Sequence, residues 1–273
     1  MRWHFLGLSI LLSVGCSQSS PTTATQSDNP PGSPASETDG KADATTGKPD
    51  GELPSPKNEP FDFMSEKFPG EIIRDDEGNV VVVKLYNRVP RETIREIVRQ
   101  PHLKELHLLQ RDMSDDELGN LVDLTKLKTL ELFSTEMTDS GVKALTPLAE
   151  LTMLRLTLTK LTDAGLKNLS GLKHLKTLNL VNSNGVVGKG LEHLAALKEL
   201  KELRLTATGI QDDKLKGLVA IPGLQTLALN GTTISNVGMK ELAQHDGLKS
   251  LDVSHTRVTG PGYQALSSLV GLE

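Results

Sequence analysis

The chain has 273 residues and a formal net charge of -5, with a pI near 5.8, a mildly acidic balance that argues against a non-specific nucleic-acid binder. Its one cysteine excludes an intrachain disulfide and a cysteine-rich metal site, and no apolar run reaches the about 20 residues that a membrane-spanning helix needs. Aromatic residues make up only 3% of the chain, so its core must be aliphatic.

Arg2 gives a basic start, Phe5 to Val14 (FLGLSILLSV) is an apolar run, and Gly15 and Cys16 follow. A short positive region, an apolar stretch and a small residue before the cut are the outline of a signal peptide over residues 1–16. The string LSVGC resembles a bacterial lipoprotein signal, in which the cysteine becomes the first mature residue and carries the lipids. The usual leucine three places before the cysteine is Ser13 here, with Leu12 one place earlier. The resemblance implies lipidation at Cys16, and Ser17 after it implies sorting to the outer membrane. Several acyl chains anchor stably, since each buried CH₂ contributes about 0.8 kcal/mol. An ordinary secretory signal, lost with its cysteine and leaving a secreted protein, is the alternative.

Residues 17–60 contain no aromatic side chain and are dense in Pro, Ser, Thr, Asp and Gly. Such a stretch cannot bury enough apolar surface to offset chain entropy, and a disordered tether is expected. Residues 61–101 read as an N-terminal capping unit. Aromatics return in FDFMSEKFPG, Val80-x-x-Val83-x-Leu85 has a strand pattern, and Pro90 to Val98 places Ile94, Ile97 and Val98 at helical spacing.

From residue 102 to 273 one motif returns seven times. Leu127 opens LKTLELFSTEMT, and equivalent strings open at Leu103, Leu151, Leu175, Leu200, Leu224 and Leu248. The step is 24 residues throughout except for 25 between Leu175 and Leu200. This period and this leucine pattern resemble those of leucine-rich-repeat proteins. The run Leu161-Thr-Asp-Ala-Gly-Leu-Lys-Asn-Leu169 is similar to the cysteine-containing, ribonuclease-inhibitor-like branch, with Thr or Ser where Cys or Asn is usual. The resemblance implies an α/β solenoid, a horseshoe with parallel strands on the concave face and helices on the convex face. It also implies protein recognition and no reaction.

Within one repeat the alternation of a strand turns Leu130 and Leu132 inward, and Thr129, Glu131 and Phe133 outward. Hydroxyls recur at one phase past the strand in Thr135, Thr159, Ser183, Thr208, Thr232 and Thr256, where they are expected to bond the backbone of the same or the next coil. Arg111 holds this phase in the first copy. Thr138-Asp139 and Thr162-Asp163 read as helix N-caps, and Ser114 with Glu117 as a capping box. One helix per coil is expected.

The outward strand positions line up as columns. Lys84, His107, Glu131, Arg155, Asn179, Arg204, Ala228 and Asp252 form the middle one. Tyr86, Leu109, Phe133, Thr157, Val181, Thr206, Asn230 and Ser254 flank it. Parallel strands lie about 4.8 Å apart, so Glu131 reaches Arg155. The candidate protein-binding residues are Tyr86, His107, Leu109, Glu131, Phe133, Arg155, Arg204 and Asp252, an aromatic anchor with a charged surround. The partner is an unnamed protein. The alternatives are a patch of ion pairs that only solubilises the sheet, a structural or adhesion scaffold self-associating through an open C-terminal edge, and an intracellular adaptor of the F-box type, whose substrate-binding halves share the branch.

No catalytic, cofactor or metal set is expected. Gly185 to Gly190 (GVVGKG) lacks the Ser or Thr after lysine that a phosphate loop requires and falls at the one-residue insertion, so it reads as a repeat bulge. The histidines show no ligand spacing, and surface roles are expected for them.

Overall fold

The computed structural model describes residues 70–109, 113–133 and 136–273. The signal, Cys16, the tether and the aromatic stretch before Gly70 lie outside the described residues, as do Arg111 and Thr135.

Among the described residues, nine strands form a single sheet in chain order. The first two, β1 (Gly70–Arg74) and β2 (Val80–Leu85), make an antiparallel hairpin. Gly78, at φ +84°, takes a backbone that side chains rarely adopt. The Asp75 carboxylate accepts from Glu77 N at 3.1 Å and Asn79 N at 2.9 Å, which closes the turn. β1 has no leucine signature, and the sequence reading did not anticipate it. The helix Arg91–Val98 follows with Pro90 at its N-cap, and Ile94 and Ile97 are buried beneath it.

The remaining strands run parallel: β3 (Glu105–Leu108), β4 (Thr129–Phe133), β5 (Met153–Thr157), β6 (Thr177–Asn179), β7 (Glu202–Arg204), β8 (Thr226–Ala228) and β9 (Ser250–Asp252). Their register follows the sequence period, with Leu106, Leu130, Leu154, Leu178, Leu203, Leu227 and Leu251 in one row. Six of these seven leucines are buried and the last is only partly covered. Burying one leucine side chain contributes about 1.5–3 kcal/mol, so the ladder of coils is held chiefly by this row and its neighbours. The helical side packs on the same core through Val142, Leu145, Leu148, Leu166, Leu169 and Leu172.

The convex side is less regular than one helix per coil. The Leu175 coil has a 3-10 stretch, Leu191–Ala196, and the Leu200 coil has another, Asp212–Lys214, followed by a single α-turn, Lys216–Val219. Both coils lack a capping hydroxyl: their N-cap positions are Gly190 and Gln211, and neither makes a side-chain cap bond.

Where the hydroxyl is present it has two tasks. Thr138 Oγ1 accepts from Ser140 N, and Thr162 Oγ1 from Ala164 N, each at 3.2 Å, so each threonine caps its own helix. The same hydroxyl donates to the acid of the preceding coil, Thr138 to Asp115 at 2.5 Å and Thr162 to Asp139 at 2.6 Å. The other carboxylate oxygen accepts the threonine's own N–H at 2.8 Å in both coils. Ser235 and Asp212 repeat the arrangement at 2.6 and 2.7 Å. Thr259 differs: its N–H donates to Asn236 Oδ1 while its hydroxyl accepts from Asn236 Nδ2, both at 2.8 Å, and it makes no side-chain cap bond. The aspartate that follows the cap was read as part of the cap; it ties one coil to the next instead. The glycine two residues later has the same cause. A Cβ on Gly141, Gly165, Gly238 or Gly262 would collide with the side-chain oxygen of Asp115, Asp139, Asp212 or Asn236. T-D-x-G is therefore one device, a polar hem joining successive helix N-termini.

The inner hydroxyls behave mostly as expected. Thr208, Thr232 and Thr256 donate to the carbonyls of Leu205, Leu229 and Val253 in their own coils at 2.7, 2.6 and 2.6 Å. Thr159 and Ser183 differ, bonding each other across coils at 2.9 Å. The GVVGKG segment is the insertion. Val186 is fully buried there, and Gly188 N donates to Asp163 at 2.9 Å, which leaves no phosphate cradle.

Candidate protein-binding face

The side chains of the middle column lie in register from Lys84 to Asp252. Three of them form a chain of bonds. His107 Nδ1 lies 2.8 Å from Glu131 Oε2, and Arg155 Nη1 donates to Glu131 Oε1 at 2.7 Å. Both oxygens of one carboxylate thus serve two basic groups on neighbouring strands. The bond from His107 is the largest influence on Glu131 and, with that from Arg155, holds its carboxyl below the usual range against a burial that pushes it up. The spacing 107, 131, 155 carries this network, although sequence alone paired only Glu131 with Arg155.

The network is not fully satisfied. His107 Nε2 and Arg155 Nε are buried without a hydrogen-bond partner. Glu105 Oε2 stands 3.6 Å from His107 Nε2, beyond bonding reach.

The other members of the column spend their polar groups locally. Lys84 pairs with Glu71 of β1 at 2.8 Å. Arg204 bonds Glu202 on its own strand at 2.6 Å. Asn179 and Asp252 accept from the N–H two residues on, at Val181 and Ser254. Arg204 and Asp252 therefore stand apart from the His107–Glu131–Arg155 chain.

The flanking column is apolar at its N-terminal end. Tyr86 is 49% exposed and Phe133 36%, with Leu109 half-buried between them. Thr157, expected to face outward as their continuation, is buried and is the register partner of Phe133. The surface continues in the residue after it. Leu158 is 42% exposed at φ +57°. Asn182, Ala207, Gly231 and His255 take the same left-handed conformation at the same phase. Alternation ends where the strand ends, so a period of two could not place Leu158.

The expectation of surface histidines fails at His245. It is buried, and it stands at the phase of Leu148, Leu172, Leu197 and Ile221 in the core. Its Nε2 meets Ile221 O at 3.2 Å, and its Nδ1 is buried with no partner.

Residues 123–145 and 248–267 match the family described as Leucine Rich repeat. With the stacked coils above, this shows a leucine-rich-repeat fold. Among solved structures it is similar to internalin C2 of Listeria monocytogenes, at 24% identity and a TM-score of 0.52, over 71% of this chain and 78% of that one. Another internalin of the same organism aligns at 20% identity and a TM-score of 0.49, over 67% of this chain. This chain spans only 61% of that internalin's length. A plant peptide hormone receptor, RGFR1 in complex with RGF2, aligns at 14% identity and a TM-score of 0.47, over 74% of this chain and 35% of that one. No curated protein matches the sequence.

Proposed function

We propose that the chain is a non-enzymatic recognition module that binds a protein partner through the N-terminal half of its concave wall, and that a lipid on Cys16 holds it to a bacterial cell envelope. One observation carries the binding half of this reading. Tyr86, Leu109 and Phe133 leave apolar surface open on a wall that is otherwise polar, beside the half-satisfied His107–Glu131–Arg155 network. Scattered exposed apolar residues need no explanation, whereas a contiguous group rimmed by charge has the composition of an interface centre. The envelope half rests on the apolar run that ends in LSVGC.

The test of binding is the Phe133→Ser/Arg155→Glu double variant, which is expected to fold normally and to lose capture of an envelope protein that the unaltered chain retains. Undiminished capture removes this face as the site. Mass spectrometry of the mature N-terminus tests the anchor, with a diacyl or triacyl cysteine expected and an unmodified cleavage product refuting it.

A further inference from the structure

Resting on the reading of the chain as anchored to an envelope membrane, we infer that a row of lysines at the strand starts lies against a bilayer surface rich in anionic phospholipid.

The residue just before each of the strands β3 to β9 keeps one phase of the repeat. Five of the seven repeats place lysine there, in Lys104, Lys128, Lys176, Lys201 and Lys249, and all five are exposed. Thr152 and Gln225 fill the other two, so no repeat puts an acid at this phase. The backbone spaces the row evenly. The carbonyl at this phase accepts two consecutive N–H groups of the next coil. Lys104 O accepts those of Lys128 and Thr129 at 2.8 and 3.0 Å, and Lys201 O those of Gln225 and Thr226, both at 2.9 Å. Steps of about 4.8 Å carry the row over about 29 Å from Lys104 to Lys249.

Folding does not require the lysine side chains. The ladder runs through their main chain, and Thr152 O and Gln225 O serve it equally, each accepting from the next coil at 2.8 Å. Ion pairs do not use them either. Among the described residues, Lys104, Lys128, Lys201 and Lys249 make no ion pair or side-chain hydrogen bond, and Lys176 only approaches Glu199, at 3.9 Å. Acids beside the row turn elsewhere. Glu202 pairs with Arg204 at 2.6 Å, Glu150 with Lys126 at 2.8 Å, and Glu105 stands 3.6 Å from His107.

Evenly spaced cations with no acid among them suit a continuous anionic surface. An acidic protein would have to offer its own carboxylates at the same interval. Near an anionic bilayer each lysine contributes about fivefold in partitioning. Charge elsewhere sets the orientation. The hem that follows each strand carries Asp115, Asp139, Asp163 and Asp212, with Asp116 and Asp213 exposed beside it. An anionic surface draws in the edge before the strands and repels the edge after them. The strands then rise away from the bilayer, and the concave wall stands open to a partner.

The test is co-sedimentation with vesicles of phosphatidylcholine alone or of an equal mixture with phosphatidylglycerol. The full chain carries Cys16→Ser, so that no acyl chain contributes. The apolar run before residue 16 is common to every arm, so only differences between arms are read. Anionic vesicles are expected to hold the chain at least about tenfold more strongly than neutral ones, and about 1 M salt to abolish the preference. The triple variant Lys104→Gln/Lys128→Gln/Lys201→Gln is expected to lose most of that preference. Removing the same charge at the opposite edge, in Lys160→Gln/Lys189→Gln/Lys214→Gln, is expected to leave it unchanged. Equal loss in both variants would mean that net charge alone acts, and would overturn the row. Equal retention on the two kinds of vesicle would overturn it too, and would leave the lipid on Cys16 to the mass spectrum of the mature N-terminus. An unmodified N-terminus with the row-dependent preference intact would remove the lipid and leave the row. If the row binds soluble polyglutamate and not vesicles, its partner is an acidic protein and the membrane face is refuted.

Discussion

The hem along the helix N-termini and the concave wall are built on the same solenoid period, and they use it in opposite ways. In the hem one bond pattern returns: an acid or amide, a hydroxyl one coil on, and a glycine whose missing side chain makes room. In the wall the period supplies only positions, and the residues filling them change from coil to coil: lysine, histidine, glutamate, arginine, asparagine. Repetition marks the positions where each coil meets the same neighbour, and that is the requirement of folding. Variation marks the positions whose contacts differ from one coil to the next. The same contrast separates polar groups by how completely they are bonded. Asp139 gives each oxygen a well-placed donor, whereas the wall leaves His107 Nε2 and Arg155 Nε bare.

The hem is where a single change should cost most. Asp139→Ala removes both bonds to Thr162, which is exposed and can turn to water instead, and is expected to destabilise the chain by about 1–2 kcal/mol in urea unfolding, since a hydrogen bond contributes about 0.5–1.5 kcal/mol net. Asp139→Asn should recover part of that, because Asn236 ties Thr259 by accepting from its N–H and donating to its hydroxyl. A loss under about 0.5 kcal/mol would mean that the hem only decorates coils held by leucine alone.

A second, opposite effect is expected where a leucine position has been given up. His245→Leu restores the residue that four earlier coils carry at this phase, in Leu124, Leu148, Leu172 and Leu197, and it removes the buried, unpartnered Nδ1. It should stabilise by about 1 kcal/mol, because Ile221 O keeps a second donor in Leu224 N. Destabilisation instead would show that the imidazole's bond to Ile221 O outweighs its orphan nitrogen.

These two sites show what could be read without coordinates. The leucine rows, the strand register and the columns of the wall follow from the 24-residue period, because a strand's two-fold alternation maps each position to one face. Thr162 and Asp163 were legible as a helix start, yet a cap and an inter-coil tie use the same letters, and only the distance from Asp139 Oδ1 to Thr162 N separates them. His245 was taken for a surface residue because the aim was ligand spacing among histidines; counting three back from Leu248 would have placed it in the core. Leu158 escaped because it follows the strand, where the backbone turns left-handed and alternation no longer holds. β1 escaped because a hairpin closing the sheet needs no leucine.

In the wall, a smaller effect is expected, visible in pH dependence. Glu131 has its carboxyl held below the usual range by His107 first and Arg155 next. A carboxyl lowered on folding stabilises above its unfolded value, and that contribution fades as pH falls through the folded one. The acid limb of the stability curve should therefore be shallower in Glu131→Gln than in the unaltered chain, while the two limbs run parallel above the ordinary carboxylate range. His107 bonds that carboxylate through Nδ1, with Glu105 3.6 Å from its Nε2, so His107→Gln should flatten the limb partially. Identical acid limbs in all three proteins would show that the network contributes nothing to the folded state.

The smallest effect belongs to Phe133, and its smallness is the point. A phenylalanine needed by the core costs about 3–5 kcal/mol when truncated. Phe133 is 36% exposed and points away from the leucine rows that hold the coils together. Phe133→Ser is expected to change unfolding free energy by less than about 0.5 kcal/mol, the range of surface substitutions. Asp139→Ala should show the reverse split, a large loss of stability with partner capture intact under conditions where the variant stays folded. If Phe133→Ser unfolded the chain as readily as Asp139→Ala, the division between a hem that folds and a wall that binds would be wrong. Phe133 would then be a core residue that happens to reach the surface, and the binding site would have to be sought on another face.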